Sequence, residues 1–235
     1  MLDSLRSCNV KVQNNMADSK DKKNSGKKKA KGKRARSKVP SPVKIRKRAL
    51  DSDILRNLER LARVMRSAQH SQGLNPAKWE ALRYIALCNR YSDSPTALTG
   101  FLAATKGTVS QTIKALEKKG LIIKTPRADE RRSLMLSASD KGLELLKSDP
   151  LASISESISG LGGKSRRKFA ESLAHILKTE LAASGNRIIG VCRSCRYHRE
   201  NGAAGEPGGP HQCLLFNAPL NTTEADQICV EYQPA

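Results

Sequence analysis

The sequence is poor in aromatic residues and has no long hydrophobic run. Aromatic residues make up 3% of the 235 residues, with Trp79 as the single tryptophan, so we expect a modest core of Leu, Ile, Val and Ala. No apolar stretch approaches the roughly 20 residues that a transmembrane helix needs, and the first residues lack the apolar segment of a secretory signal. We therefore expect a cytoplasmic protein with no membrane partner.

Motifs of several common enzyme classes are also missing. The sequence has no glycine-rich phosphate loop, no Gly-x-Ser-x-Gly nucleophile elbow and no His-Glu-x-x-His motif. His198 and Glu200 form the His-x-Glu pair that zinc deaminases use. In those enzymes, however, the Cys-x-x-Cys pair follows the histidine, whereas Cys192 and Cys195 precede it here. These absences argue against an enzyme.

Acidic residues are scarce at the N-terminus, where positive charge is concentrated. The formal net charge of the chain is +21, and residues 1–50 hold 17 Lys or Arg against three Asp, which is +14. Because this region has little apolar content, residues 1–48 are predicted to be a disordered polybasic arm. Such an arm gains affinity for nucleic acid by releasing counterions, without reading sequence. A solubility tail and a nuclear localisation signal at PVKIRKR are the alternatives.

The stretch TKGTVSQTIKALEKKG, residues 105–120, predicts a short amphipathic helix. Val109, Ile113 and Leu116 recur at helical spacing and form its apolar face. A second helix is predicted upstream at residues 94–104, where Ser-Pro is a favoured start, and the tight turn between them indicates a helix-turn-helix. The opposite face of residues 105–120 carries hydroxyl, amide and lysine side chains that can reach base edges and phosphates in a DNA major groove. The predicted DNA-binding residues of this helix are Thr108, Ser110, Gln111 and Lys114.

The residues after this helix predict a two-stranded wing. Residues 121–124 and 133–136 can pair as strands, with the sequence PRADERR at the hairpin tip between them. Guanidinium groups at such a tip can enter a minor groove beside the recognition helix. The predicted DNA-binding residues of the wing are Arg127, Asp129, Arg131 and Arg132.

The run from Leu98 to Gly142 closely resembles the winged-helix core of the multiple-antibiotic-resistance regulator (MarR) family, through its LEKKGLI, Asp129-x-Arg131 and SASDKG segments. The resemblance covers roughly residues 50–185. It implies a mainly α fold with a small β wing, in the α+β class, and a bacterial protein that binds double-stranded DNA in the nucleoid. It also implies that Asp129 holds Arg131 in place, and it leaves room for a small-molecule effector.

Amphipathic helices flank this core on both sides. Apolar residues at spacings of three and four predict helices at 49–72, 75–90, 140–148 and 164–184. A domain of this size, residues 49–185, cannot bury both terminal helices fully against itself. In the family that the chain resembles, the first and last helices pair between two subunits, so the resemblance implies a homodimer.

The tail, residues 186–235, holds four of the six cysteines within 38 residues and includes a Cys-x-x-Cys knuckle. In a reducing compartment such a cluster is more often a metal site than a pair of disulfides. Zn²⁺ is the simplest occupant, and an iron–sulfur cluster or redox-active thiols without a metal are the alternatives. The predicted ligands are Cys192, Cys195, Cys213 and Cys229, with His198 or His211 as a substitute for one thiolate.

The tail is also predicted to depend on its metal for order. The segments that carry the four thiols have no shared hydrophobic core in the sequence pattern, so metal binding would have to supply their ordering. The metal site would then either only stabilise the fold of the tail or also act as a sensor of metal or oxidation. The cysteine cluster also resembles the tails of some MarR-like regulators, and this resemblance does not identify the metal.

These patterns together predict a sequence-specific, dimeric transcriptional regulator. The helix-turn-helix and the wing carry this interpretation, because charge alone would not distinguish a regulator from other DNA-binding proteins. The alternative is a nucleoid-associated architectural protein whose basic arm does most of the binding.

Overall fold

The structure is a computed structural model that describes residues 42–127 and 133–235, with side chains from residue 47 onward. The first four elements among the described residues are helices, and a short hairpin follows the fourth. The elements up to the tail are α1 (Pro42–Ala68), α2 (Pro76–Leu87), α3 (Pro95–Leu102), α4 (Lys106–Lys118), β1 (Ile122–Pro126), β2 (Leu134–Ala138), α5 (Asp140–Leu146), α6 (Ala152–Ser159) and α7 (Gly163–Ala183).

The predicted winged helix-turn-helix is confirmed. Ser94 caps α3, with its side chain accepting from the N–H of Ala97, and Thr105 caps α4 in the same way. β1 and β2 pair antiparallel with Ile122 opposite Ala138, and they form the wing. The fold is mainly helical with small antiparallel sheets, as the α+β prediction requires.

The first helix differs from its predicted bounds. It begins at Pro42 rather than Ala49, so the last seven residues of the segment predicted to be a disordered arm are helical. Proline at the first helical position has a suitable fixed φ and needs no hydrogen-bonded N–H, which explains the earlier start. The helix also ends at Ala68 rather than at Gln72, because Gln72 has a φ of 53°. Residues 1–41 of the predicted arm lie outside the described residues.

The core lies around α2, which contributes Trp79 and Leu82, both fully buried. Leu98 of α3 and Leu116 of α4 pack in the same cluster and are also fully buried. This packing fixes the rotation of α4, since its buried side chains leave the opposite face of the helix in solvent.

Ser139 joins the wing and α5 to the end of α4. Its hydroxyl accepts from the N–H of Gly142 and donates to the carbonyl of Gly120, and its own N–H donates to the carbonyl of Leu121 at 3.0 Å. α5 therefore starts directly against the backbone between α4 and β1. A side chain at Gly142 has no room there, because a Cβ would lie 2.1 Å from the Leu121 oxygen.

The tail is folded from short strands around a single helical turn. Residues Ala49–Ala235 form one compact unit, so the tail belongs to the same unit as the winged helix. The tail elements are β3 (Gly190–Val191), a 3₁₀ turn (Cys192–Ser194), β4 (His198–Arg199), β5 (His211–Cys213), β6 (Ala218–Leu220), α8 (Thr222–Ala225) and β7 (Ile228–Cys229). β3 pairs with β7, and β4, β5 and β6 form a second antiparallel sheet.

The expectation that the segments carrying the four thiols share no hydrophobic core is wrong, because Cys192 and Cys229 are buried in one cluster and the tail also packs into the core of the winged helix. Val230 is 5% exposed and belongs to the same cluster as Trp79 and Leu98, and Ile189 and Ile228 pack against that cluster. Burial of these three aliphatic side chains supplies a driving force for ordering the tail that the sequence pattern did not reveal.

The terminal helices of the winged-helix region keep their apolar residues in solvent. Among the described residues, α6 and α7 contain no buried side chain. The exposed apolar residues of α1 and α7 are Leu50, Ile54, Leu55, Leu61 and Val64, and Phe169, Leu173, Ile176 and Leu177.

In the part of the chain that the structure describes, every helix is either too short or too polar to traverse a lipid bilayer.

Two glycine substitutions test the contact between α5 and α4. Gly142→Ala places a methyl group against the Leu121 carbonyl and should lower the free energy of unfolding by about 1–3 kcal/mol. Gly100→Ala is the matched control, because nothing lies within 4 Å of its Cβ position in α3, and it should raise that free energy by about 0.5–1 kcal/mol. Urea unfolding measures both, and equal effects of the same sign would contradict the contact.

A substitution in the tail tests the shared core. Val230→Ala should lower the free energy of unfolding of the winged helix by about 2 kcal/mol, because it removes buried methyl groups and leaves a cavity. Trp79 is fully buried and is the only tryptophan, so its fluorescence reports on the winged-helix core. Leu214→Ala in the same tail should change the free energy of unfolding by less than about 0.5 kcal/mol, since Leu214 is exposed. A Trp79 transition that is unchanged by Val230→Ala would show that the tail folds separately.

Candidate functional site

The recognition helix α4 is held by its cap and by its buried face. The Thr105 hydroxyl oxygen accepts from the N–H of Thr108 at 3.2 Å and lies 2.9 Å from the Thr108 hydroxyl. Val109 and Leu116 are buried on the inner face. The four predicted DNA-binding residues of the helix are all solvent-exposed, and they are Thr108, Ser110, Gln111 and Lys114.

A groove of about 330 Å³ lies between α3, α4 and the wing. Lys106, Lys114 and Lys124 line it, together with Ser110. Lys124 forms an ion pair with Glu117 at 2.8 Å, so part of this charge is compensated in the free protein. Lysine side chains around a groove of this kind are suited to phosphate oxygens, while the exposed hydroxyl and amide groups beside them are suited to base edges.

Arg127 follows the last residue of β1, at the hairpin end of the wing, and is bound within the fold. Its guanidinium forms an ion pair with Asp93 and donates to the carbonyl of Arg90 at 3.4 Å. Burial raises the pKa of Asp93, and the charge of Arg127 opposes that rise. The free protein therefore holds this guanidinium against the Cys88–Asp93 segment. Asp129, Arg131 and Arg132 lie outside the described residues, and their roles stay predictions.

The four tail cysteines line one small enclosed cavity of about 10 Å³, which we call the cysteine pocket. Cys192 and Cys229 are buried, Cys195 and Cys213 are half-buried, and all four are free thiols. Across the described residues, no three His, Cys, Asp or Glu side chains already stand in the arrangement of metal ligands. The fold thus brings the predicted cysteines together around a space about the size of one water molecule.

Several donors are directed at the sulfur atoms. Asn89 Nδ2 donates to Cys192 Sγ at 3.2 Å, and the N–H of Gln233 donates to Cys195 Sγ at 3.5 Å. A hydrogen bond from Cys192 lowers the pKa of Cys229 to about 6, and the same bond together with burial raises the pKa of Cys192. The pair therefore gives up its first proton more readily than an isolated buried thiol would, because donors to sulfur favour the thiolate form.

The two histidines lie side by side but differ in surroundings. Their ring centroids are 5.1 Å apart. His198 lines the cysteine pocket, and its Nε2 is buried with no hydrogen-bond partner among the described residues. Burial, and then the neighbouring His211, lower the pKa of His198. His211 Nδ1 instead accepts from the N–H of Asn201 at 3.3 Å, so of the two predicted substitutes only His198 faces the thiols.

The segment Cys88–Asp93, between α2 and α3, connects the winged helix to the tail, and we call it the Cys88–Asp93 connection. The N–H of Asn89 donates to the carbonyl of Ile228 at 2.9 Å, and the N–H of Val230 donates to Ser92 Oγ at 3.0 Å. The Tyr91 ring stacks on Phe216 with centroids 4.0 Å apart and 7° between the planes. Arg90 adds a 2.6 Å bond to the carbonyl of Pro219 and an ion pair with Glu224 at 3.1 Å.

These contacting residues were missed by sequence reasoning. Asn89 and Ser92 are almost fully buried polar residues, yet in the sequence they stand in a polar run that resembles an exposed turn. Only the packing of the distant tail onto this run buries them. The sequence offered only the polar run of Asn, Arg, Tyr, Ser and Asp as an indication. Such a run does not distinguish a loop that another segment covers from a loop in solvent.

Comparison with known proteins agrees with this geometry. Residues 72–133 match the sequence model of the MarR family. A comparison with curated protein sequences finds no match. The matched segment contains α2, α3, α4 and the first strand of the wing, and it ends before the tail.

Solved structures of similar proteins cover a little more than half of the chain. The transcriptional regulator SlyA is 19% identical, with 54% of this chain and 93% of SlyA covered and a TM-score of 0.44. Streptococcus pneumoniae FabT, solved in complex with DNA, is 20% identical over 59% of this chain and 97% of its own, with a TM-score of 0.44. A Listeria innocua protein of unknown function is 20% identical over 58% and 96%, with a TM-score of 0.46. The match of residues 72–133 assigns a MarR-family domain to this part of the chain.

Proposed function

We propose that the protein is a sequence-specific transcriptional regulator that binds double-stranded DNA as a homodimer, with α4 in the major groove and the wing at the minor groove. The observation that supports this proposal is the set of exposed polar side chains on α4. Buried Val109 and Leu116 hold the helix so that Ser110, Gln111 and Lys114 face solvent beside a lysine-lined groove. An amide side chain in such a row can bond to both edge atoms of adenine, which is a base-specific contact.

The exposed apolar faces of α1 and α7 support the dimer. Phe169, Leu173 and Ile176 recur along α7, and each is about two-fifths exposed. A monomer would leave these rows in water, whereas pairing with the same helices of a second copy would bury them. The two recognition helices of the dimer would then contact two half-sites of one operator.

A metal site in the cysteine pocket is the second part of the proposal. Four thiols and one histidine line the pocket, and the unpartnered Nε2 of His198 is the kind of buried atom that a ligand would satisfy. The donors from Asn89 and Gln233 to sulfur match the outer hydrogen bonds that stabilise metal-bound thiolates. Bound Zn²⁺ would order the tail as a structural centre, and an iron–sulfur cluster would add sensitivity to oxidation.

A third cavity is the place to look for a small-molecule effector. It measures about 620 Å³ and lies between the end of α4 and α5. Lys119, Lys141 and Lys147 line it together with Leu121, and Glu144 compensates Lys147 through an ion pair. The remaining two lysines and the apolar lining suit an anion with an apolar body.

A substitution on α4 tests the proposed base contact. Operator DNA is first selected from a random-sequence pool with the full-length protein. Gln111→Ala should then weaken binding to the selected duplex by about 1–3 kcal/mol and leave binding to random DNA nearly unchanged, because the amide reads a base edge. Lys118→Ala is the control, since Lys118 is exposed on the same helix but does not line the groove. Equal losses on both duplexes for Gln111→Ala would contradict base reading.

Elemental analysis tests the metal site. Protein purified without oxygen should carry either one zinc per chain and no colour, or iron and sulfide with visible absorption. Cys213→Ser should lose most of this metal, because it removes a thiolate from the pocket. Cys88→Ala should retain it, since Cys88 is a buried thiol outside the pocket whose Sγ donates to the carbonyl of Ile85. Metal-free protein with four freely reactive tail thiols would contradict the proposal.

A further inference from the structure

We infer that the Cys88–Asp93 connection couples the state of the cysteine pocket to the position of the wing, so that metal loading strengthens DNA binding. The inference rests on the proposed function in two respects, the DNA-binding face and the metal site. It adds the route between them, which runs through three consecutive contacts in one short segment of chain.

The first contact is at the pocket. Asn89 is 1% exposed, and its side-chain amide donates to Cys192 Sγ at 3.2 Å. Its backbone N–H is bonded to the carbonyl of Ile228, the residue before Cys229. Asn89 therefore touches the strand of one buried cysteine and the sulfur of the other. Any change in the positions of these sulfurs on metal binding acts directly on this residue.

The second contact holds the middle of the segment. Ser92 is fully buried, and its Oγ accepts from the N–H of Val230, the residue after Cys229. Its carbonyl accepts from the Tyr84 hydroxyl of α2 at 2.7 Å. A buried segment with these bonds cannot move one residue without disturbing the next, because a hydrogen bond lost in the interior leaves a polar group without a partner. The segment therefore behaves as a stiff connector.

The third contact is at the wing. The carbonyl of Asp93 accepts from the N–H of Leu136 in β2 at 2.6 Å, and its carboxylate forms the ion pair with Arg127 at the end of β1. Asp93 thus holds both strands of the wing. Three residues of chain separate Asn89, which bonds to the pocket sulfur, from Asp93, whose bonds position the wing.

Metal loading is expected to raise operator affinity, and not to lower it, because it orders the Cys88–Asp93 connection. With metal bound, the thiolates are fixed and the connection is held from both ends, so the wing is already in position when DNA arrives. An empty pocket loosens Asn89 and then Asp93, and the DNA complex must form from a wing with more conformational freedom. Metal loading should therefore raise operator affinity by about 5- to 150-fold, the usual range for coupling between two sites. By linkage, bound operator DNA must raise the affinity of the pocket for metal by the same factor.

The test compares operator affinity of full-length protein with and without metal in three proteins. The probe is Zn²⁺, or iron with sulfide under anaerobic conditions if the purified protein contains iron, and the duplex is the one selected from the random pool. The wild-type protein should bind the operator about 5- to 150-fold more tightly with metal than without it, and this factor is the affinity ratio. Asp93→Asn keeps the pocket intact but removes the ion pair with Arg127, so its ratio should fall towards one while its metal content stays at the wild-type value.

Asp149→Asn is the matched control. It removes another Arg–Asp ion pair of similar burial, between Arg83 of α2 and Asp149, which contacts neither the tail nor the wing. Its affinity ratio should equal that of the wild type. Amide hydrogen exchange at Leu136 gives a second readout, and exchange there should be faster in the empty wild-type protein than in the loaded protein.

The outcomes separate the inference from the function on which it rests. Failure of the wild type to take up metal would overturn the metal site and this coupling together. Metal uptake with unchanged operator affinity would overturn the coupling alone. A wild-type ratio that persists in Asp93→Asn would also overturn it, because the coupling requires the Asp93 side chain to hold the Arg127 end of the wing.

Discussion

The need to satisfy buried polar groups decides how this chain is assembled. Asn89 and Ser92 carry an amide and a hydroxyl at the surface of a winged helix, and the tail covers both. Covering them would be costly unless the tail brought partners, and it brings a sulfur, a carbonyl and a backbone N–H in matching positions. The tail therefore has one position on the winged helix, and Val230 adds the apolar contact that makes this position favourable.

The parts of the fold that repeat a short pattern could be predicted from the sequence. In α4, Val109, Ile113 and Leu116 are spaced for one helical face, and all three are buried. The caps at Ser94, Thr105 and Ser139 lie at the predicted helix starts, and the hairpin after Gly120 forms the wing. These signals work because each depends on residues a few positions apart.

The packing of the tail could not be predicted in this way. Its strands are two or three residues long, too short to show an alternating pattern. The contacts that fix it join residues far apart, with 103 positions between Asn89 and Cys192 and 138 between Ser92 and Val230. The cysteine spacing predicted that four thiols would gather, and they do line one pocket. Spacing alone contains no information about the surface on which that pocket is built.

The long sequence separation of these contacts has a consequence for the kinetics of folding. Small helical domains fold quickly because most of their contacts are local, and α2, α3 and α4 by themselves satisfy that description. The Cys88–Asp93 connection does not, since its partners become available only when a loop of more than a hundred residues has closed. The recognition helix can therefore form early, while the segment between α2 and α3 reaches its final hydrogen bonds in a later and slower step.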